Sequence, residues 1–202
     1  MIVVKPRVLI TRKIPQDILV KIEEVCEVEM WEQQETPIPR EVLEEKISDV
    51  EGLFCLLTER IDESLLEKAK KLKVVSNMAV GYNNIDVGVA KDRGIIVTNT
   101  PGVLTETTAD LTFALLMATS RRLIESNDYL RAGNWNTWSP MQLTGQDVFG
   151  ATIGIIGMGR IGEGVAKRAK GFDMNILYHN RSRKLEVEEN LGAKYVELDE
   201  LL

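Results

Sequence analysis

Gly157, Gly159 and Gly162 constrain the fold of this chain more than any other residues. They stand in the run Thr152-Ile153-Gly154-Ile155-Ile156-Gly157-Met158-Gly159-Arg160-Ile161-Gly162, which is G-x-G-x-x-G directly after an apolar stretch. Three glycines at that spacing say little alone; the surroundings give them meaning. Thr152 to Ile156 has the composition of a buried parallel strand. From Arg160 onward the period becomes helical, with Ile161, Val165, Ala169 and Phe172 on one stripe. A second short strand, Asn175 to His179, follows. Strand, glycine turn, helix and strand within about 30 residues is the context that a dinucleotide-binding turn requires. In such a turn the first glycine permits a tight bend and the second lets a pyrophosphate approach the backbone. The third lets helix and strand pack closely. Backbone N–H groups from Gly157, Met158, Gly159, Arg160, Ile161 and Gly162 then face the phosphates at the positive end of the helix dipole. The alternative is a βαβ unit whose glycines serve packing only.

The residues just beyond the second strand bear on which dinucleotide would bind. A unit selective for NAD places an Asp or Glu at the end of that strand, where it accepts the ribose hydroxyls. Here the position holds Asn180, followed by Arg181, Ser182 and Arg183. Asn does not repel a 2′-phosphate, and an Arg fork matches phosphate oxygens. NADPH is therefore the expected cofactor, with NADH also accepted. A solvated basic turn is the plainer alternative.

The 202 residues are 44% hydrophobic and 28% charged, which suits a globular α/β protein of one large or two small domains. The formal net charge of −6, with no basic stripe, argues against a nucleic-acid partner. Leu111 to Ala118 is apolar but too short to span a membrane, and the first residues lack a signal-peptide pattern. Cytoplasmic localisation is expected. Cys26 and Cys55 read as free thiols, and a lone histidine, His179, cannot assemble a metal site.

Up to about residue 100, strands at Arg7–Thr11, Val28–Trp31, Gly52–Leu57, Val74–Ala79 and Ile95–Asn99 alternate with helices at Pro15–Val25, Pro39–Ile47, Asp62–Leu72 and Asp86–Asp92. Asp62 has the place of an N-cap. Such alternation implies a parallel sheet covered on both faces. Pro101-Gly102 then punctuates the chain, and a domain boundary is expected there. A single long helix is expected over about Thr105 to Leu130. It is apolar nearly all round between Leu111 and Ala118, and so buried in a core or against another subunit. An irregular segment, Gly133 to Gly150, precedes the glycine unit. After it come a helix near Leu185–Leu191, a strand at Lys194–Val196 and the start of a helix at Leu198. A doubly wound domain has two such halves, so the sequence reads as the N-terminal part of a longer protein.

Four segments together carry a resemblance to the D-isomer-specific 2-hydroxyacid dehydrogenases, of the glyoxylate/hydroxypyruvate reductase type. They are Ala79-Val80-Gly81-Tyr82-Asn83-Asn84-Ile85-Asp86; Gly94 to Pro101 leading into Thr107-Thr108-Ala109-Asp110; Trp135-Asn136-Thr137-Trp138-Ser139-Pro140; and the Gly157 run. The resemblance implies two Rossmann- or flavodoxin-like parallel-sheet domains with the active site in the cleft between them. Residues 1–100 would form the substrate domain. Residues 101–202 would form the N-terminal part of the NAD(P)-binding domain, including a dimerisation helix, and that domain would be incomplete in this chain. The implied reaction is hydride transfer from NAD(P)H to a small 2-oxo acid, glyoxylate or hydroxypyruvate, in a homodimer.

The same resemblance implies that backbone amides at Val80 and Gly81 hold the substrate carboxylate and that Thr108 lies near the nicotinamide and phosphates. It also implies that Trp138 reaches into the neighbouring subunit's active site. Each has an ordinary structural alternative: a plain turn, a helix-start hydroxyl, a loop anchor. The catalytic Arg, acidic residue and His of the family have no counterpart in these 202 residues. His179, at the adenosine end of the cofactor, is no substitute, so the chain alone is expected to be inactive. Other D-2-hydroxyacid dehydrogenases, of phosphoglycerate or lactate type, and a dinucleotide-sensing binding module are the competing readings.

Overall fold

Short apolar strands set the layout, and each is long enough to bury only a few side chains on either face. A computed structural model describes residues 4–202. It divides into two compact units, one ending at Pro101 and the other starting at Gly102. In the first unit the elements run β1 (Arg7–Ile10), α1 (Gln16–Glu23), β2 (Glu27–Met30), α2 (Arg40–Lys46), β3 (Gly52–Cys55), α3 (Glu63–Lys68), β4 (Val74–Asn77), α4 (Val87–Asp92) and β5 (Ile96–Thr98). All strand pairs are parallel, in the order β2-β1-β3-β4-β5. This is the doubly wound order in which the direction of winding reverses between β1 and β3. Alternation along β1 splits the core. Leu9 joins Leu53, Val75, Leu43 and Leu65 on one face, while Ile10 joins Ile14 and Leu19 on the other. Asp62 caps α3 as its sequence position suggests, accepting from Leu65 N at 3.1 Å, and Arg40 donates to it at 2.8 Å.

The second unit holds α5 (Thr105–Ser120), α6 (Leu123–Arg131), β6 (Thr152–Ile156), α7 (Arg160–Lys170), β7 (Asn175–His179), α8 (Leu185–Leu191), β8 (Lys194–Tyr195) and α9 (Leu198–Leu201). β6, β7 and β8 form a parallel three-stranded sheet. Helix α7 lies against α5 through small residues: a Cβ built on Gly164 would come within 2.9 Å of the Ala109 methyl carbon. Arg168 of α7 reinforces the pair, donating to Asp110 and Glu106 of α5.

The long helix expected from Thr105 is two helices. Arg122 adopts a left-handed backbone, φ 51°, between α5 and α6. The cause lies in the later loop: Gln146 N donates to Ser120 O at 2.7 Å, and a Cβ on Gly145 would sit 2.1 Å from that same oxygen. The loop thus takes a carbonyl that a continuous helix would use. Burial of α5 is also narrower than its composition suggests. Ala109 and Phe113 are buried, while Leu111 and Leu115 are 61% and 59% exposed. No helix among the described residues is long and apolar enough to cross a membrane.

Candidate functional site

Two turns at the carboxyl ends of strands present free backbone donors, one in each unit. In the second unit β6 runs into Gly157, whose φ of +97° suits glycine and bends the chain sharply. Gly157 N donates to His179 O at 2.9 Å, extending the β6–β7 ladder by one rung. Gly159 stands at the N-cap of α7 with no side-chain cap. The first bond back into the helix is Glu163 N to Gly159 O, 2.9 Å. The N–H groups of Gly159, Arg160 and Ile161 are left without helical partners, as at any helix start. Two of the glycines have different reasons. A Cβ on Gly162 would lie 2.2 Å from Gly157 O, so the close approach of helix and turn requires glycine. A Cβ on Gly159 would meet nothing within 4 Å, so the fold itself does not demand it. Met158 turns its side chain into the core and offers only its backbone.

Beside this turn a groove of about 400 Å³ is lined by Met158, Gly159, Arg160, Glu163, Arg183 and Leu185. Its rim is the segment after β7. Asn180 Nδ2 donates to Ser182 O at 3.0 Å, closing the segment on itself. Arg181 is exposed, whereas Arg183 is ion-paired with Glu188 of α8. Glu188 also accepts from the buried Tyr178 hydroxyl at 2.6 Å, and that oxygen accepts from Lys184 N at 2.7 Å. The Arg183 guanidinium, with the Tyr178 hydroxyl behind it, holds the Glu188 carboxyl down at about 2. Burial first, then Glu188, pushes the Tyr178 phenol up. Neither Glu188 nor Tyr178 carries a local sequence signal for this arrangement. Their roles depend on α8 folding back beside β7, which no local pattern announces.

In the first unit β4 leads into Val80 and Gly81. Among the described residues the N–H groups of Val80, Gly81 and Tyr82 find no acceptor. Their neighbours' carbonyls are all engaged: Ala79 O by Thr100 N, Val80 O by Asn99 Nδ2 and Gly81 O by Asn77 Nδ2, each at 2.8 Å. Asn77 is 1% exposed, and its Oδ1 lies 3.5 Å from the Cys55 sulfur. Burial pushes the Cys55 thiol up to about 12, so it stays a neutral S–H donor. Asn84 completes the frame by donating to the carbonyls of Leu56 and Glu59, at 3.1 and 3.0 Å. A hollow of about 540 Å³ along β5 is bordered by Tyr82, Lys91 and Asn99. Asn77 lies outside the segments that carry the resemblance, and Asn84 and Asn99 lie inside them with no role of their own assigned.

The remaining candidates all lie in the second unit. Thr108 sits in α5, one residue before the Ala109 that packs on Gly164, and its carbonyl accepts from Thr112. Trp138 is 76% exposed in an irregular segment, where it lines a shallow groove with Tyr129, Leu130 and Trp135. His179 is half-buried, with Nδ1 3.0 Å from Val196 O and its ring beside Tyr195.

The family model described as D-isomer specific 2-hydroxyacid dehydrogenase, catalytic domain, matches residues 8–152. The model of the NAD binding domain of the same family matches residues 113–202. A glyoxylate reductase from Thermococcus onnurineus is 53% identical over 202 residues, covering 98% of this chain and 60% of that protein. Among solved structures, a protein from Thermus thermophilus superposes with a TM-score of 0.87 at 42% identity, over 97% of this chain and 61% of its own. A glyoxylate reductase from Paecilomyes thermophila gives a TM-score of 0.80 at 31% identity, over 98% of this chain and 62% of its own. The chain thus spans about 60% of the length of the curated relatives it matches.

Proposed function

The chain belongs to the D-isomer specific 2-hydroxyacid dehydrogenase family, and from that membership we propose that the protein reduces a small 2-oxo acid, glyoxylate or hydroxypyruvate, with NADPH in preference to NADH. The observation that carries this reading is the Gly157–Gly162 turn. It combines uncapped N–H groups, a close contact that only glycine permits, and open space over Gly159. A dinucleotide pyrophosphate fits that cradle, held by the amides from Gly157 to Gly162. When bound, the nicotinamide supplies the hydride. Thr108 flanks the cofactor in this reading. The amides of Val80 and Gly81 hold the substrate carboxylate, and the first and second units serve as substrate and cofactor domains.

No residue of these 202 is assigned as the proton donor for the alkoxide or as the cation for the carbonyl. His179 is engaged with Val196 O and lies at the far end of β7 from Asn175. The 202-residue chain alone is therefore expected to bind ligands without steady turnover. The exposed leucines of α5, together with Leu123, Ile124 and Trp138, support reading the protein as a homodimer. In that assembly Trp138 would border the partner's substrate.

NADPH preference rests on Arg181, Ser182 and Arg183 beside an uncharged Asn180. Each hydrogen bond to a charged group contributes about 1.5–3 kcal/mol, so one well-placed arginine gives roughly ten- to hundredfold discrimination. The test is fluorescence titration with NADPH and NADH, before and after combined Arg181→Ala and Arg183→Ala. Selective loss of NADPH affinity supports the reading. Equal affinities in the unsubstituted protein, or equal losses for both cofactors, would overturn it.

A further inference from the structure

We propose that Asn77 and Asn99 are positioning residues that lock two of the three consecutive peptide groups at Ala79–Tyr82, the Thr100 N–H holding the other, and so make a preformed receptor for the substrate carboxylate with Tyr82 N–H as a third donor. The proposal rests on reading the Val80–Gly81 turn as the carboxylate site and adds what holds it in shape. In a trans peptide the C=O of one residue and the N–H of the next point in opposite directions within one plane. Fixing the carbonyl therefore fixes the donor. Thr100 N on Ala79 O sets the Val80 N–H. Asn99 Nδ2 on Val80 O sets the Gly81 N–H, and Asn77 Nδ2 on Gly81 O sets the Tyr82 N–H. All three N–H groups lack acceptors among the described residues.

Successive backbone amide donors without acceptors can make an anion site. Without the asparagines it would be a poor one, because peptide planes in an irregular segment rotate and would bring carbonyl oxygens toward the anion. The clamps are themselves clamped. Asn77 is buried, donates a second bond to Asn84 Oδ1 at 3.3 Å and lies with its Oδ1 at the Cys55 sulfur. An amide is the right group for this task. It donates to the carbonyl, carries no charge to compete with the carboxylate, and does not titrate.

The test uses oxamate, a carboxylate analogue of a 2-oxo acid, and oxamide, its neutral counterpart, titrated into the ¹⁵N-labelled 202-residue protein. Oxamate is expected to shift the Val80, Gly81 and Tyr82 amide signals together, and oxamide to leave them in place. Asn99→Ala at the partly exposed clamp, and Asn77→Asp at the buried one, each weaken oxamate by about five- to tenfold, the effect of losing one such bond. Asn99→Gln, which keeps the donor, recovers part of the loss. For Asn99→Ala the thermal midpoint is expected to stay unchanged, so that the loss reads orientation and not unfolding. If oxamate moves Val80 and Gly81 but Asn99→Ala binds it as tightly as before, the clamp proposal is wrong and the carboxylate reading stands. If oxamate moves none of the three amides, both fall.

Discussion

The turns at Gly81 and Gly157 both leave backbone donors free at the end of a parallel strand, yet different forces hold them. The Gly157 turn is held by sterics within one short stretch: a positive φ at Gly157, and a contact at Gly162 that leaves no room for a methyl. The Gly81 turn is held by side chains from elsewhere, Asn77 on β4 and Asn99 just past β5. Glycine at position 81 is less constrained. A Cβ there would meet Asn83 Oδ1 at 3.3 Å, the end of a side chain that can move. A donor array can thus be shaped by excluding side chains or by recruiting them, and the two designs should fail under different substitutions.

The largest expected effect comes from Gly162→Ala. The new methyl would sit 2.2 Å from a backbone oxygen, so α7 must move away from the β6 turn. Overpacking of this kind costs roughly 3 kcal/mol. Urea unfolding of the second unit should show a lower midpoint at unchanged slope, with dinucleotide binding lost. Gly81→Ala should cost about 1 kcal/mol or less, because only the Asn83 side chain must give. Equal losses at the two sites would erase the distinction between the turns.

Gly159→Ala sharpens the contrast within the Gly157 turn itself. Nothing stands within 4 Å of the added methyl, so stability should change by no more than about 0.5 kcal/mol. The methyl would stand where a pyrophosphate must approach. Affinity for NADPH, read by fluorescence titration, is expected to fall by about tenfold or more, the equivalent of about 1.4 kcal/mol. Undiminished affinity would mean that the cofactor does not lie over this glycine.

The difference between the turns also explains what the sequence disclosed. The Gly157 turn was legible because its causes are neighbours in the chain: an apolar strand, three glycines, then a helical stripe. The parallel α/β class was legible for a similar reason, since β1, β3, β4, β6 and β7 are short apolar runs separated by amphipathic helices. Asn77 and Asn99 were not legible, because an asparagine at a strand end has many uses and only the folded turn shows which carbonyl it meets. The break between α5 and α6 was hidden likewise. Its cause, Gly145 and Gln146 on Ser120 O, lies well beyond the helix. Glu188 stands in the helix expected near Leu185–Leu191, but only the fold-back of α8 beside β7 brings it to Arg183.

Acid titration gives the smallest expected effect and separates the turns once more. The segment after β7 is tied by a carboxylate: Glu188 pairs with Arg183 and accepts from Tyr178, whose oxygen takes the Lys184 N–H. Because Arg183 and Tyr178 hold Glu188 at about 2 in the folded state, below the free carboxylate value of about 4.3, its contribution is fully present above about pH 4.3. It is lost as pH falls from there through about 2. The Lys184 amide signal should therefore be flat from pH 7 to 5 and move with a midpoint well below 4. The Gly81 turn has no such tie, since its clamps are Asn amides backed by a thiol pushed up to about 12. At pH 7, Glu188→Gln should mimic the acid form at the segment after β7. It frees Arg183 from its partner, and NADPH affinity is expected to rise by about threefold, the small effect of releasing an exposed pair. A Lys184 midpoint near the free value of about 4.3 would show that Glu188 is not held by Arg183 and Tyr178, and an unchanged NADPH affinity in Glu188→Gln would show that Arg183 does not reach the cofactor. Preference for NADPH would then rest on Arg181 and Ser182 alone.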